Sequence, residues 1–149
     1  LAMVTAVLQQ RSGLRMTTHD VFASTVGGVR IVDQAADLAL AFAIASAYKQ
    51  REVPTDVVAI GEVGLAGELR RVRDIPHRLA EAARLGFRHA IVPLEGGSGT
   101  TITENDGLRT IAVPDLESAL RLLDLARLDA RPVIAADPHR PGRPALGVV

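Results

Sequence analysis

The sequence predicts a mixed α/β (α+β) fold, in which a mixed sheet, a β-hairpin and packed helices share one core. Three observations predict it. Apolar segments with helical periodicity alternate along the chain with short runs rich in valine and isoleucine. Turns containing glycine or proline separate these segments. The chain of 149 residues is long enough to bury one core.

The N-terminal part is predicted to contain a helix followed by an extended region. Leu1 to Gln10 has the apolar pattern of a helix. His19 to Thr25 alternates between apolar and polar side chains, which predicts a strand. Gly27-Gly28 predicts a turn or bulge, after which Val29 to Val32 is expected to be extended again.

A long apolar helix is predicted next. Asp33 is suited to cap it, and the helical pattern continues to about Gln50. Its apolar residues occupy nearly every position, so the helix must be covered on more than one side, by the sheet or by another subunit. Asp37 in the first turn is expected to favour the positive end of the helix dipole.

The second half of the chain is predicted to alternate between short strands and helices. The predicted elements are a buried strand VVAIGEV (57–63), a reversal at Gly64 to Gly67, an antiparallel return strand ELRRV (68–72), a helix from Ile75 to Leu85 capped by Gly86, a strand HAIVP (89–93), a strand TIAVP (110–114), and a helix from Leu116 to Leu128. Glu95 to Gly107 is rich in glycine and threonine and is predicted to be mostly loop, in which TTIT (100–103) could add a short strand. The chain from Ala130 onward is rich in proline and is expected to be disordered. The predicted organisation is therefore one domain over 1–128 and a tail over 129–149.

Composition excludes several kinds of site. The sequence has no cysteine, which excludes disulfides, thiolate zinc sites and a cysteine nucleophile. Seventeen basic and seventeen acidic residues cancel, so no overall charge draws the chain to nucleic acid or membrane. Neither a membrane-spanning run nor a signal peptide is evident, and a cytoplasmic location is expected.

The order of motifs resembles a known family. GEVGLAGELRRV, a helix and GFRHAIVP resemble the proteolytic domain of Lon-type proteases. DVFASTVGGVRIVDQAADLALAFAIASAY with PTDVVAIGEVGLAGELRRV more closely resembles the C-terminal Lon-like domain of bacterial RadA (Sms) DNA-repair proteins. The resemblance covers roughly Leu1 to Leu128 and implies the Lon proteolytic-domain-like fold (ribosomal protein S5 domain 2-like).

The resemblance also implies where catalytic residues would lie. Lon-type proteases use a serine activated by a lysine amine. Ala35 occupies the position of the serine and Pro76 that of the lysine, so neither side chain can perform the chemistry. Lys49, the one lysine, lies about 21 Å along the helix from Ala35. His77 with a displaced Ser24 or Ser46 is a substitute pair that the residues leave open.

A RadA-type assignment implies cofactors that other parts of the protein bind, and it implies partners as well. The family is described as ATP-dependent helicases that drive branch migration, with a zinc motif and an ATPase preceding this domain. The sequence has neither cysteines nor a GxxxxGK[ST] loop, so ATP, Mg²⁺ and zinc are expected only in other parts of such a protein. The implied partners are further copies in a ring, expected to be a hexamer, single-stranded or branched DNA, and the RecA recombinase.

Five arginines are candidate DNA contacts. They are Arg15, Arg30, Arg70, Arg71 and Arg73. Phosphate contacts of this kind give affinity without sequence preference and weaken with salt. Ordinary solvated charge is the alternative for each of them, and Glu68 and Asp74 flank the cluster at 70–73. At the level of function, the alternatives are a module that only assembles the ring and a peptidase with an unorthodox catalytic pair.

Overall fold

The computed structural model describes residues 1–125, in which four α-helices pack against a four-stranded mixed sheet and a separate two-stranded hairpin. The helices are α1 (Ala2–Arg11), α2 (Asp37–Lys49), α3 (Ile75–Arg84) and α4 (Leu116–Leu125), and the strands are β1 (Val57–Ala59), β2 (Glu62–Val63), β3 (Leu69–Arg70), β4 (His89–Pro93), β5 (Thr101–Asn105) and β6 (Leu108–Val113). The predicted mixed α/β class is confirmed. The predicted tail, 129–149, and the end of the last helix lie outside the described residues.

The main sheet has the order β1-β4-β6-β5. β4 pairs in parallel with both β1 and β6, so that Ile91 lies opposite Ala59 on one side and Ile111 on the other. β5 runs antiparallel to β6 at the edge of the sheet. β2 and β3 form the predicted hairpin, whose reversal is closed by a Gly67 N–H to Gly64 carbonyl bond of 2.9 Å.

Helices cover both faces of the sheet. On one face, α1, α2 and α4 form the larger core with the sheet, which includes Leu8, Leu38, Ile91 and Leu116. On the other face, α3 and the residues before α2 enclose two smaller clusters. Their buried members are Ala35, Ile60, Val72 and Val92 in one and Ala82, Ala90 and Leu108 in the other. The central strand β4 contributes to both faces and is therefore the most enclosed strand.

The long apolar helix is present as predicted. The Asp33 carboxylate accepts the Ala35 N–H at 2.9 Å, and a 3-10 turn over Gln34–Ala36 leads into α2. Leu38 and Phe42 are buried in the larger core, and the helix ends where Gln50 adopts a left-handed conformation, φ 51°. Burying side chains of this size stabilises the fold by about 1.5–3 kcal/mol each.

The run at 57–63 is two strands, and the prediction of one strand is wrong. β1 pairs with β4 in the main sheet, whereas β2 pairs with β3 in the hairpin. The break falls at Gly61, whose N–H donates to the Ala35 carbonyl at 2.9 Å and whose carbonyl accepts the Leu38 N–H at 3.1 Å. The N–H and the carbonyl of Gly61 thus bond to the residues at the start of α2 and are not available for pairing with a neighbouring strand.

The strand predicted at His19 to Thr25 is also absent, and Val29 to Val32 pairs with no described strand. These residues belong to no strand of residues 1–125, although a 3-10 turn at Val26–Gly28 confirms the predicted glycine turn. The physical reason is that a strand requires a partner, and no neighbouring backbone among the described residues pairs with them. Alternation in a sequence predicts the extended conformation but cannot supply the second strand.

Candidate functional site

Ala35 lies at the start of the α2 region, where the resemblance to Lon-type proteases implies a serine. Its methyl group is 6% exposed and is buried with Ile60, Val72 and Val92, and Ile75 and Leu79 of α3 pack against the same cluster. The Ala35 N–H and carbonyl are both bonded, to Asp33 and Gly61. Position 35 therefore contributes packing and backbone bonds and has no reactive group.

Pro76 lies in the first turn of α3, where its missing N–H costs no helical hydrogen bond. The segments that carry Pro76 and Ala35 are joined by an ion pair, because Arg78 Nη2 lies 2.6 Å from Asp33 Oδ2. The Ala35 N–H and the Arg78 guanidinium lower the pKa of Asp33 below its ordinary value. The structure thus brings together the two segments in which the resemblance implies a catalytic pair.

An open groove runs beside Pro76, between α3 and the edge strand β1. Its floor is apolar and its rim carries charged and imidazole groups. The lining residues are Val58, Ile60, Asp74, His77, Arg78, Glu81, Ala82, Leu85 and Phe87. Among the described residues that line this groove there is no serine, threonine or lysine, so His77 has no hydroxyl group to activate there.

The candidates Ser46 and Lys49 lie at the other end of α2, and Ser24 lies in the exposed segment before the glycine turn. Lys49 is the last residue of the helix, and the Ser46 hydroxyl donates to the Arg51 carbonyl. Thr18 Oγ1 lies 3.2 Å from His19 Nδ1, and the His19 ring contacts Tyr48 in the last turn of α2. This hydroxyl–imidazole pair is therefore separated from position 35 by the length of a helix of about 20 Å.

Asp37 lies in the first turn of α2, as predicted, and it also contacts the hairpin. Its carboxylate accepts the Val63 N–H at 3.5 Å and so links α2 to the hairpin. Burial raises the pKa of Asp37 above its ordinary value, which the Val63 N–H opposes in part and the nearby Glu62 carboxylate reinforces. A carboxylate in this position holds backbone and has no nucleophile next to it.

Two of the three hairpin arginines are occupied by carboxylates. Arg70 Nε and Nη2 lie 2.9 and 2.6 Å from Glu68 Oε1, and Arg70 Nη1 lies 3.6 Å from Glu62 Oε1. Arg71 Nη1 lies 2.5 Å from Glu95 Oε1. A phosphate that approaches either guanidinium would meet these carboxylates, which repel it.

The other candidate arginines are exposed and have no carboxylate partner among residues 1–125. Arg73 follows the hairpin and is exposed. Its carbonyl accepts a hydrogen bond from Arg78 Nε at 3.0 Å. Arg30 lies in the exposed extended region after the glycine turn. Arg15 lies at the far end of α2, where its carbonyl is 3.5 Å from the Tyr48 hydroxyl. The structure thus brings Arg70, Arg71 and Arg73 together and separates Arg15 from them.

Two features were missed by sequence reasoning. The Arg11 side chain lies against the hairpin reversal, with its Cγ atom 3.2 Å from where a Cβ on Gly67 would lie. The His19 ring meets the Tyr48 ring edge-on, with ring centroids 5.5 Å apart. Both pairings join residues far apart in sequence, and no local pattern would have revealed them.

The described residues contain no cluster of histidine, aspartate and glutamate side chains arranged to hold a metal ion. None of the helices in this part of the chain has the length and hydropathy needed to cross a bilayer.

A family model described as subunit ChlI of Mg-chelatase matches residues 4–96, which is more than half of the chain. The chain belongs to this ChlI family. The matched range runs from α1 through β4 and includes positions 35 and 76, the hairpin and all five candidate arginines.

Curated proteins that are similar in sequence to this ChlI-family chain are named DNA repair protein RadA. The chain is 48% identical over 122 residues to the DNA repair protein RadA of Mycolicibacterium smegmatis, covering 82% of this chain and 25% of that protein. The DNA repair proteins RadA of Haemophilus influenzae and Escherichia coli are 44% and 43% identical over 124 residues, or 83% of this chain and 26% of each relative. The chain thus spans about a quarter of the length of the curated relatives that it matches.

Proposed function

We propose that the chain is a non-proteolytic, Lon-like domain of a RadA-type DNA repair protein, which helps to assemble the protein and contacts DNA. The observation that carries the proposal is the identity of 43–48% to proteins named DNA repair protein RadA over more than four-fifths of this chain. The domain extends over 1–128, with 129–149 as a tail, and its fold is of the Lon proteolytic type.

The packing around positions 35 and 76 supports the non-proteolytic part of the proposal. A methyl group and a pyrrolidine ring replace the two groups that acyl transfer requires. The Ala35 methyl is buried among aliphatic side chains, and the Asp33–Arg78 ion pair links the neighbouring segments. The residues that directly precede α2 therefore connect α2 with α3 and the hairpin.

DNA contact is proposed for those of the five candidate arginines whose guanidinium groups have no carboxylate partner among the described residues. These are Arg15, Arg30 and Arg73. Arg70 and Arg71 contribute less, because their carboxylate partners must be displaced or must lie near the phosphate. A surface ion pair is worth about 0.2–1 kcal/mol, so the pairing weakens these two contacts without forbidding them.

The whole protein is proposed to be a cytoplasmic, ATP-dependent helicase of branch migration that forms a hexameric ring. ATP, Mg²⁺ and zinc would then bind in the three-quarters of the protein outside this region. DNA and the RecA recombinase are the proposed partners. The length of the relatives supports this arrangement, because this chain accounts for only about a quarter of it.

DNA binding by the full-length protein tests the proposal. Fluorescence anisotropy is measured with single-stranded and branched DNA over a salt series that starts near 50 mM. Replacing Arg15, Arg30 and Arg73 with alanine should weaken binding and reduce the salt slope by about one for each phosphate that is no longer neutralised. The matched control replaces Arg84 and Arg121, which pair with Glu81 and Glu117 on the outer faces of helices. An unchanged slope in the first variant would refute direct contact and favour a module that only assembles the ring.

A peptidase assay tests the catalytic part separately. Casein and a fluorogenic peptide should not be hydrolysed by the chain or by a His77→Ala variant. Turnover that the His77→Ala substitution abolishes would assign an unorthodox catalytic pair to the groove beside α3.

A further inference from the structure

Residues 20–32 form a surface that the proposed function does not explain. The segment lies between the first 3-10 turn, Met16–Thr18, and the cap of α2, and it is exposed along almost its whole length. Four large apolar side chains point into solvent, with exposed fractions of 89% for Phe22, 63% for Val29, 59% for Ile31 and 79% for Val32. Large apolar side chains concentrated in one short exposed segment mark an interaction site more often than single exposed side chains do.

The segment is held in place at both ends. The His19 ring packs edge-on against Tyr48 of α2, and the partly buried Val21 side chain packs on the larger core. At the other end, the Asp33 carboxylate binds Arg78 at 2.6 Å. The exposed residues therefore lie on a segment fixed to the domain at two places.

The backbone of this segment has hydrogen-bonding capacity that residues 1–125 do not use. Among the backbone–backbone bonds of the described residues, one has both ends within 20–32: the Gly28 N–H donates to the Thr25 carbonyl at 3.4 Å. The Thr25 hydroxyl donates to the Val29 carbonyl, and the other backbone groups of the two arms are available for pairing. The two arms on either side of this glycine turn, 20–25 and 29–32, belong to no ladder, and the backbone is extended at Thr25 and Val29, which flank the turn. Free N–H and carbonyl groups on an extended apolar segment form a template for a further strand.

We infer that residues 20–32 are a strand-addition site, and that the occupant is a β-strand from the rest of the longer RadA-type polypeptide. The inference rests on the proposed function, because it requires that this chain be a region of such a protein. The matched relatives have about three-quarters of their length outside this region, which supplies the polypeptide. A strand from the same polypeptide is favoured over a second copy because covalent connection keeps its effective concentration high.

The occupant has a defined chemistry. It presents backbone N–H and carbonyl groups to the free edge of the segment and apolar side chains on the face that carries Val29 and Ile31. Its pairing makes a ladder of the two arms, which have the sequence character of strands but no partner in residues 1–125.

Hydrogen exchange tests the inference on the 149-residue chain and on the full-length protein. The amides of 20–25 and 29–32 should exchange at least about tenfold more slowly in the full-length protein than in the 149-residue chain, at every protein concentration. Chymotrypsin should cleave after Phe22 in the short chain and much more slowly in the long one. Leu65, which is 76% exposed at the tip of the hairpin, serves as the internal reference for cleavage.

A matched pair of variants separates strand addition from a general change in stability. In the full-length protein, Ile31→Asp should restore fast exchange over 20–32, whereas Ile102→Asp, at an exposed position of β5, should leave that segment protected. Equal exchange in the two wild-type proteins overturns the inference. Protection of the short chain that increases with its concentration also overturns it, because the occupant is then a second copy.

DNA binding measured on the same samples keeps the two proposals distinguishable. Unprotected residues 20–32 in a full-length protein that binds DNA overturn the strand inference alone. Protected residues 20–32 in a protein that does not bind DNA refute the proposed DNA contact alone.

Discussion

β4 and the segment 20–32 have similar strand-like sequences but opposite environments. β4 is paired on both sides, by β1 and β6, and its residues 90–93 are buried. The segment 20–32 is exposed along almost its whole length, and no described strand pairs with it. The comparison teaches that β-propensity measures how well a residue fits a pleated surface, while the presence of that surface depends on the remaining chain.

The largest difference is expected between two isoleucines. Ile91→Ala in β4 should destabilise the chain by about 2–5 kcal/mol, because it opens a cavity between the sheet and α2. Ile31→Ala in the exposed segment should change the free energy of unfolding by no more than about 0.5 kcal/mol. Urea unfolding of the 149-residue chain measures both values. A comparable loss from the two substitutions would show that the exposed segment is packed in solution.

The next effect concerns Gly61, where the run at 57–63 leaves the main sheet. A Cβ at this position would lie 3.1 Å from Pro93 Cγ and 3.6 Å from Leu38 Cδ2. Gly61→Ala should therefore cost about 1–3 kcal/mol through crowding between β4 and α2. Thermal unfolding measures the loss, with Ser98→Ala in the exposed loop before β5 as a control. An unchanged melting temperature would mean that the junction yields easily and does not fix the break between β1 and β2.

A smaller effect distinguishes the two acids at the entrance to α2. The pKa of Asp33 is lowered, so its contribution to stability is present above the ordinary value of 3.8 and is lost as the pH falls through the folded-state pKa. The pKa of Asp37 is raised, so ionising this carboxyl is less favourable in the folded chain than in the unfolded chain. The free energy of unfolding therefore falls as the pH rises from the ordinary value of 3.8 through the folded-state pKa.

Asparagine at each position tests these opposite signs. Asp37→Asn should raise the melting temperature at pH 7 by a few degrees at most, because the amide oxygen still accepts the Val63 N–H and carries no buried charge. Asp33→Asn should lower it, because the charge opposite Arg78 is lost. Thermal unfolding between about pH 3 and pH 7 measures both. Shifts of the same sign would contradict the assignment.

Local patterns in the sequence predicted much of the fold. The Asp33 cap, the apolar α2, the proline at the start of α3 and the left-handed Gly86 after it each depend on a few neighbouring residues, and all are present. The break at Gly61 could not be predicted, because it depends on hydrogen bonds to Ala35 and Leu38, more than twenty residues away.

The candidate site was predicted less completely for the same reason. The arginine cluster at 70–73 was evident, and the neighbouring Glu68 already indicated that it would be diluted. The pairing of Arg71 with Glu95 and of Arg78 with Asp33 arises from contacts between elements and follows no sequence spacing. Which arginines have no carboxylate partner within residues 1–125 is therefore a property of the fold.

Survival after DNA damage tests the central claim most directly. A bacterial strain that lacks its RadA protein is supplied with the full-length protein in its wild-type form, with alanine at Arg15, Arg30 and Arg73, or with alanine at the paired Arg84 and Arg121. The wild-type protein and the paired-arginine variant should restore survival, and the Arg15, Arg30 and Arg73 variant should not. Full restoration by that variant at the same protein level, or failure of the wild-type protein, would contradict a DNA-contacting role in repair.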